Sequence, residues 1–225
     1  RSMSYSYLPE DNEVVKTDYS GEETVEKFTA GGVVSSVSND DGALAGYGFK
    51  GGLLTSASFG NGSVTYSYDR AGRITALNNS VGTASRGYAY EYDRAGNQTK
   101  KTETGNGNDK VTEYAYDSLN RLSEVTEDDG TRIEYSFDAW GNIAEKTYHH
   151  PSDYVFELGE TAISGVTEHT VSYSYDEANR LLSETESVTG SDNFSGVRTY
   201  AYDDAGNLTS KTTSGDYGAK SESYV

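Results

Sequence analysis

The stretch Tyr66-Ser67-Tyr68-Asp69-Arg70-Ala71-Gly72-Arg73-Ile74 decides the fold. Its first three residues put two aromatic rings on one face of a strand, because side chains alternate along an extended chain. Asp69 then opens a reversal. An Asp, two tolerant residues and a Gly three places on is the pattern of a type I turn closed by a left-handed residue. The Asp carboxylate accepts a backbone N–H inside such a turn. Ile74 begins a return strand, so the nine residues spell one β-hairpin.

Working outward, the pattern recurs five times. The copies are Tyr90, Tyr92, Asp93 and Gly96; Tyr114, Tyr116, Asp117 and Asn120; Tyr135, Phe137, Asp138 and Gly141; Tyr173, Tyr175, Asp176 and Asn179; and Tyr200, Tyr202, Asp203 and Gly206. Only Gly and Asn close the turn, the residues that accept positive φ at low cost. The Asp-to-Asp spacings are 24, 24, 21, 38 and 27. A spacing of about 24 holds two strands of about seven or eight residues and two short turns. The interval of 38 marks an insertion near residues 149–165.

Two degenerate copies stand upstream. Tyr47-Gly48-Phe49-Lys50-Gly51-Gly52-Leu53-Leu54 carries Lys where the others carry Asp, and another begins at Tyr5-Ser6-Tyr7-Leu8-Pro9. Second loops, at the far end of each hairpin, are expected at Asp128-Asp129-Gly130, at 105–108 and at 190–193. No window has helical periodicity. The expected fold is all-β: a single array over residues 1–225, divergent in 1–46 and recognisable in 47–210. It is an antiparallel meander of hairpins that strand twist coils into a curved or spiralling sheet.

Composition removes whole classes of function. The chain has 225 residues with 20 Tyr, 25 Gly, 2 Pro and no Cys, and 36 acids against 18 basic residues give a net charge of −18. Zero Cys removes thiol catalysis, zinc fingers and disulfide staples. The charge repels phosphate and no basic stripe stands out, so nucleic acid is not an expected partner. No apolar run approaches the roughly 18 residues of a membrane span, and no signal-peptide pattern is present. The aromatic content of 12% argues against disorder. A chain opening on Arg1-Ser2-Met3 and closing on Tyr224-Val225 is expected to be a segment of something longer.

The consensus Tyr-x-Tyr-Asp-x-x-Gly/Asn-Arg/Asn-Leu/Ile resembles the signature of YD repeats. The chain is thus similar to part of an Rhs/YD-repeat protein, strongly over residues 47–210 and weakly over the first 46. In bacterial Rhs proteins and the C components of Tc toxins, such repeats coil into a hollow β-shell around a C-terminal toxin; in the related teneurins a similar shell serves adhesion. The resemblance implies a structural wall segment of a secreted or cell-surface bacterial toxin. Its partners would be the remainder of the shell and the toxin cargo, with no catalysis and no cofactor. The family's autoproteolytic Asp-Pro segment is absent, since neither Pro9 nor Pro151 follows an Asp. A length of 225 residues would supply about one turn of the spiral rather than a closed container.

Residue types that could carry chemistry have structural readings that outweigh the functional ones. The six turn Asp residues are spread along the array rather than gathered in a pocket. The acidic pairs Asp40-Asp41, Asp128-Asp129 and Asp203-Asp204 match no calcium-loop spacing. His149 and His150 are neighbours on a strand and point to opposite faces, and His169 is remote in sequence. Asn-x-Ser/Thr triplets at Asn61, Asn78, Asn97, Asn193 and Asn207 are expected by chance in so polar a chain. The tyrosines form either an aromatic ladder packing hairpin on hairpin or, as the alternative, an exposed platform for glycans, which would make the chain a carbohydrate-binding or adhesive module. Unpaired strands at the two ends of an array leave edge-to-edge self-association open.

Overall fold

The computed structural model describes residues 3–105, 107, 109–158, 161–190 and 193–224, and no helix occurs among them. The expected loop residues Asn106, Asn108, Ser191 and Asp192 lie outside the described residues, as do Arg1, Ser2 and Val225. The chain forms two compact units, residues 1–92 with 100–110 and residues 93–99 with 111–225.

The first unit contains β1 (Ser4–Leu8), β2 (Glu13–Thr17), β3 (Glu23–Phe28), β4 (Val34–Asn39), β5 (Gly42–Lys50), β6 (Leu53–Phe59), β7 (Gly62–Tyr68), β8 (Ile74–Val81) and β9 (Ala84–Tyr92). Each pairs antiparallel with the next. After β10 (Gln98–Thr104) and β11 (Lys110–Tyr116), the second unit continues with β12 (Leu122–Thr126), β13 (Arg132–Phe137), β14 (Ile143–His149), β15 (Val155–Leu158), β16 (Thr161–Ser164), β17 (Glu168–Tyr175), β18 (Leu181–Thr189), β19 (Phe194–Tyr202), β20 (Leu208–Gly215) and β21 (Lys220–Ser223). Among the described residues, nineteen strands belong to one antiparallel sheet, and β15 and β16 form a separate two-stranded ribbon.

Each of the six Tyr-x-Tyr-Asp copies is a hairpin with a five-residue loop. In the first, the Asp69 N–H donates to the Arg73 carbonyl at 3.0 Å and the Gly72 N–H to the Asp69 carbonyl at 3.1 Å. The same two bonds recur from Asp93, Asp117, Asp138, Asp176 and Asp203. The closing residues have positive φ throughout, from 59° at Asn120 and Asn179 to 100° at Gly96. At the turns of Asp69, Asp117, Asp138, Asp176 and Asp203 a register shift falls just before the second aromatic, as at Ser67/Tyr68 and Ala201/Tyr202, a β-bulge that fixes where pairing starts. In all six copies both aromatics are half-buried and the residue between them is exposed.

Elsewhere the turn chemistry varies. At the degenerate copy, β5 runs on to Lys50, which pairs with Leu53, and Gly51 and Gly52, both with positive φ, make a two-residue turn. Without the Asp acceptor there is nothing to organise the longer loop, and Gly-Gly reverses the chain directly. The first 46 residues hold the five-residue turn without the full aromatic pair, keeping only Phe28 before Thr29. Asp18 accepts from Ser20 N and Glu22 N and is closed by Gly21, while Thr29 takes the Asp position and accepts from Val33 N, closed by Gly32.

The meander is a single layer, and most strand residues are only half-buried. Among the described residues, the one buried apolar cluster lies where the insertion folds back. β14 pairs directly with β17, and the intervening ribbon lays Phe156, Ile163 and the following Val166 against Val188 and Phe194 of β18 and β19, with Tyr217 at the margin. A Cβ on Gly190 would meet Ile163 and Val166 at 2.9 Å, so the ribbon closes on bare backbone there.

A Cβ at Gly72 or Gly141 would meet no atom within 4 Å, so the cost of a side chain there is conformational. Gly72→Val and Gly141→Val are each expected to destabilise by about 1–2 kcal/mol in urea melts, because a β-branched residue is forced to positive φ. A neutral result at either position would show that the turn does not need its left-handed residue.

Candidate functional site

The residues of interest form a line rather than a pocket, and it is built from the turn outward. Every turn Asp is held by the residue four places on. In three copies that residue is Arg: Asp69, Asp117 and Asp176 accept from the backbone N–H of Arg73, Arg121 and Arg180 at 2.9–3.0 Å through Oδ1. They accept from the Nε of the same Arg at 2.6–2.7 Å through Oδ2. In the other three it is Asn: Asp93, Asp138 and Asp203 are held by the backbone N–H and Nδ2 of Asn97, Asn142 and Asn207. These bonds lower the pKa of all six carboxyls. The largest cause is the Arg backbone N–H in the first set and the Asn side-chain amide in the second.

The same residue reaches the next hairpin. Arg73 lies over the Tyr92 ring at 4.6 Å, Arg121 over Phe137 at 4.2 Å and Arg180 over Tyr202 at 4.9 Å. Asn97 donates instead to Asn120 Oδ1 at 3.0 Å, and Asn142 to Asn179 Oδ1 at 2.9 Å. Arg is followed by Gly at the next closing position (Gly96, Gly141, Gly206), and Asn is followed by Asn. Sequence reasoning passed over this rule, although its signal is present as a strict Arg, Asn, Arg, Asn, Arg, Asn alternation one place past the closing residue.

The second aromatic returns the connection. Tyr68 donates its hydroxyl to the Leu54 carbonyl, Tyr92 to Ile74, Tyr116 to Gln98, Tyr175 to Ile143 and Tyr202 to Leu181, all at 2.7–3.0 Å. Each acceptor opens or nearly opens the return strand of the preceding hairpin. Phe137 brings no hydroxyl to the equivalent Leu122 carbonyl and is held by its ring alone. Burial pushes Tyr116 and Tyr175 above the usual phenol range. The first aromatics are placed differently: Tyr200 donates to Glu184 at 3.1 Å, and burial with that carboxylate pushes it up to about 12. Tyr66 stacks on Tyr68 at 6.5 Å, and Lys146 lies 5.6 Å from the Tyr135 ring. Burial also raises Tyr90 and Tyr173. Tyr114 lies half-buried in β11, paired with the buried Val125 of β12.

The histidines, separate in sequence, partly converge. β14–β17 pairing sets Tyr148 opposite His169, so the Tyr148 ring lies 5.9 Å from His150 and 4.9 Å from His169. Tyr154 stacks on His150 at 3.7 Å. His149 points the other way, toward Glu134 and Glu168. Glu127 and Asp129 complete a cleft of about 350 Å³ around this aromatic group. Burial, then the nearby His169, lowers the pKa of His150. Among the described residues no group of three or more His, Asp or Glu side chains is placed to hold a metal ion.

A family model described as RHS Repeat matches residues 51–84, 92–132 and 116–150. No curated protein matches the chain in sequence. Among solved structures, the chain is similar to the Photorhabdus luminescens Tc holotoxin pore carrying a TccC3 mutation, with 17% identity and a TM-score of 0.62. It is also similar to TcdB2-TccC3 without its hypervariable C-terminal region, with 18% identity and a TM-score of 0.61. In both, 95% of this chain is covered but only 12% of the other, so the likeness is one of fold over a small part of those chains.

Three measurements check the line of contacts. Tyr92→Phe is expected to cost about 0.5–1.5 kcal/mol, the worth of one net hydrogen bond, with Phe137→Tyr equal or more stable than the parent. In a double-mutant cycle, Asn97→Ala and Asn120→Gly are expected to couple by about 0.5 kcal/mol or more; strict additivity would sever the link. Because the turn carboxyls titrate below the ordinary Asp value of 3.8, their stabilisation is complete above it and is lost as the pH falls through each folded-state value. The melting temperature is therefore expected to hold from about pH 7 to 5 and fall below about pH 4, less steeply in Asp117→Asn; an equally steep fall in that variant would place the acid sensitivity elsewhere.

Proposed function

We propose that the chain, whose residues 51–84 and 92–150 match the RHS Repeat model, is a wall segment of a larger β-shell that encloses a toxin cargo and itself catalyses nothing. The observation carrying this reading is the continuity of the wall. Inside each unit, successive hairpins of the regular copies are joined by strand pairing and by an Arg or Asn on the following hairpin, and, except at Phe137, by a Tyr hydroxyl on the preceding one. Such a wall needs no buried core to hold register, which suits a partition between two aqueous spaces. Its partners would be the rest of the shell and the cargo, and its place of action outside the producing cell. The likeness to Tc toxin assemblies supports this reading.

Glycan binding is the second reading. The five second-position Tyr hydroxyls named above are engaged between hairpins, so a sugar would find its aromatic surface in the cleft at Tyr148, His150 and Tyr154, with Glu127 and Asp129 as acceptors.

Limited proteolysis of the parent polypeptide decides between them. The shell reading expects a C-terminal cargo to survive protease while the assembly is intact and to be digested once Tyr→Ala changes at 92, 116 and 175 open the wall. Digestion of the cargo at the rate of free cargo, together with binding on a glycan array that Tyr154→Ala abolishes, would replace it with the second reading.

A further inference from the structure

The tips of the hairpin turns form a row in the second unit that the wall does not use. The five turns 93–97, 117–121, 138–142, 176–180 and 203–207 are joined in order by Asn97 to Asn120, Arg121 to Phe137, Asn142 to Asn179, and Arg180 Nη1 to the Asp203 carbonyl at 3.2 Å. Successive tips are two strands apart, roughly 10 Å. The two outermost residues of each tip are exposed: Arg94-Ala95, Ser118-Leu119, Ala139-Trp140, Glu177-Ala178 and Asp204-Ala205.

This row has an order. Its first tip is basic, the next two are uncharged and each present a large apolar side chain, Leu119 and Trp140, and the last two are acidic. Arg94, Glu177 and Asp204 form no ion pair among the described residues. Leu119 is 69% exposed and Trp140, the only Trp of the chain, 82%. Both stand where four other copies carry Ala (Ala71, Ala95, Ala178, Ala205), so neither is required by the turn. An indole held in water on a rigid loop is the kind of anchor that interfaces are built on.

A pattern running from positive through apolar to negative is complementary to itself when reversed. We propose that the tip row is a docking surface for a second copy of this chain, related by a two-fold axis between Leu119 and Trp140. Each Trp140 then covers the partner's Leu119, and each Arg94 meets the partner's Glu177. The self-complementarity selects this occupant: a two-fold interface requires each feature to find its counterpart on the same surface reversed, and these four tips meet that requirement. The surface is narrow and each chain carries a net charge of −18, so the association is weak, half-complete on the order of 100 µM.

Sedimentation velocity across a concentration series, with Trp fluorescence read in parallel, tests this. The expected result is a monomer–dimer equilibrium in which emission shifts to the blue as dimer forms. Trp140→Ala, which installs the residue common at this position, and Arg94→Glu should each weaken dimerisation about 10-fold or more. Arg94→Glu combined with Glu177→Arg should recover most of the loss. A monomer with solvent-like emission at 1 mM, on the order of ten times the expected midpoint, would overturn the proposal. So would a dimer that Trp140→Ala leaves unchanged, since that would place the contact on the strand edges β1 or β21. Failure of the charge swap to recover affinity would overturn the two-fold register.

Discussion

A one-layer sheet has no interior to hold its strands in register, and everything else in this protein follows from how it meets that constraint. The answer is the Asp carboxylate at the head of each turn. By accepting N–H groups from its own loop, it fixes five residues, sets the bulge and determines which residues of the outgoing strand face the same way. Only then do the two aromatics lie on one side, and only then does the second hydroxyl come within reach of a carbonyl on the neighbouring hairpin. The acids that make the chain so negative are in this respect a scaffold: six of them, with Asp18, are committed to turns by bonds to neutral N–H groups or to Arg.

The hairpin was legible because its causes are local. Tyr68, Asp69 and Gly72 declare a strand, a turn and a left-handed residue within five positions, and neighbouring hairpins in a meander need no long-range information. What lay beyond reach depended on contacts between copies. The Arg73–Tyr92 and Asn97–Asn120 links are written in the sequence, but as a correlation between one repeat and the next. The same holds for His150 and His169, which meet across Tyr148 only because β14 pairs with β17 past an insertion. The upstream turns at Asp18 and Thr29 were hidden for the opposite reason: the turn chemistry is present without the aromatic pair that flags it.

Connection between hairpins is also graded. Where Arg follows the closing residue, the guanidinium is shared between its own Asp and the ring of the next copy. Where Asn follows, the short amide spans the gap to another Asn. Both solutions satisfy the same carboxylate, but the Arg link uses the aromatic that every copy carries, while the Asn link needs a second Asn a full repeat away. A hairpin is thus specified jointly with its neighbour.

The β15–β16 ribbon shows what the far end of the hairpins tolerates. The chain leaves β14 at His149, builds a two-stranded excursion with its own apolar seat and re-enters at Glu168, and those two residues are paired partners. The sheet does not register the detour. Insertion at that end therefore costs the wall nothing in strand pairing, while the end bearing the Asp turns admits no such freedom. For a lineage of such arrays, this makes one rim a site of accretion, where new surface can be acquired as a cassette while the repeat itself stays unchanged.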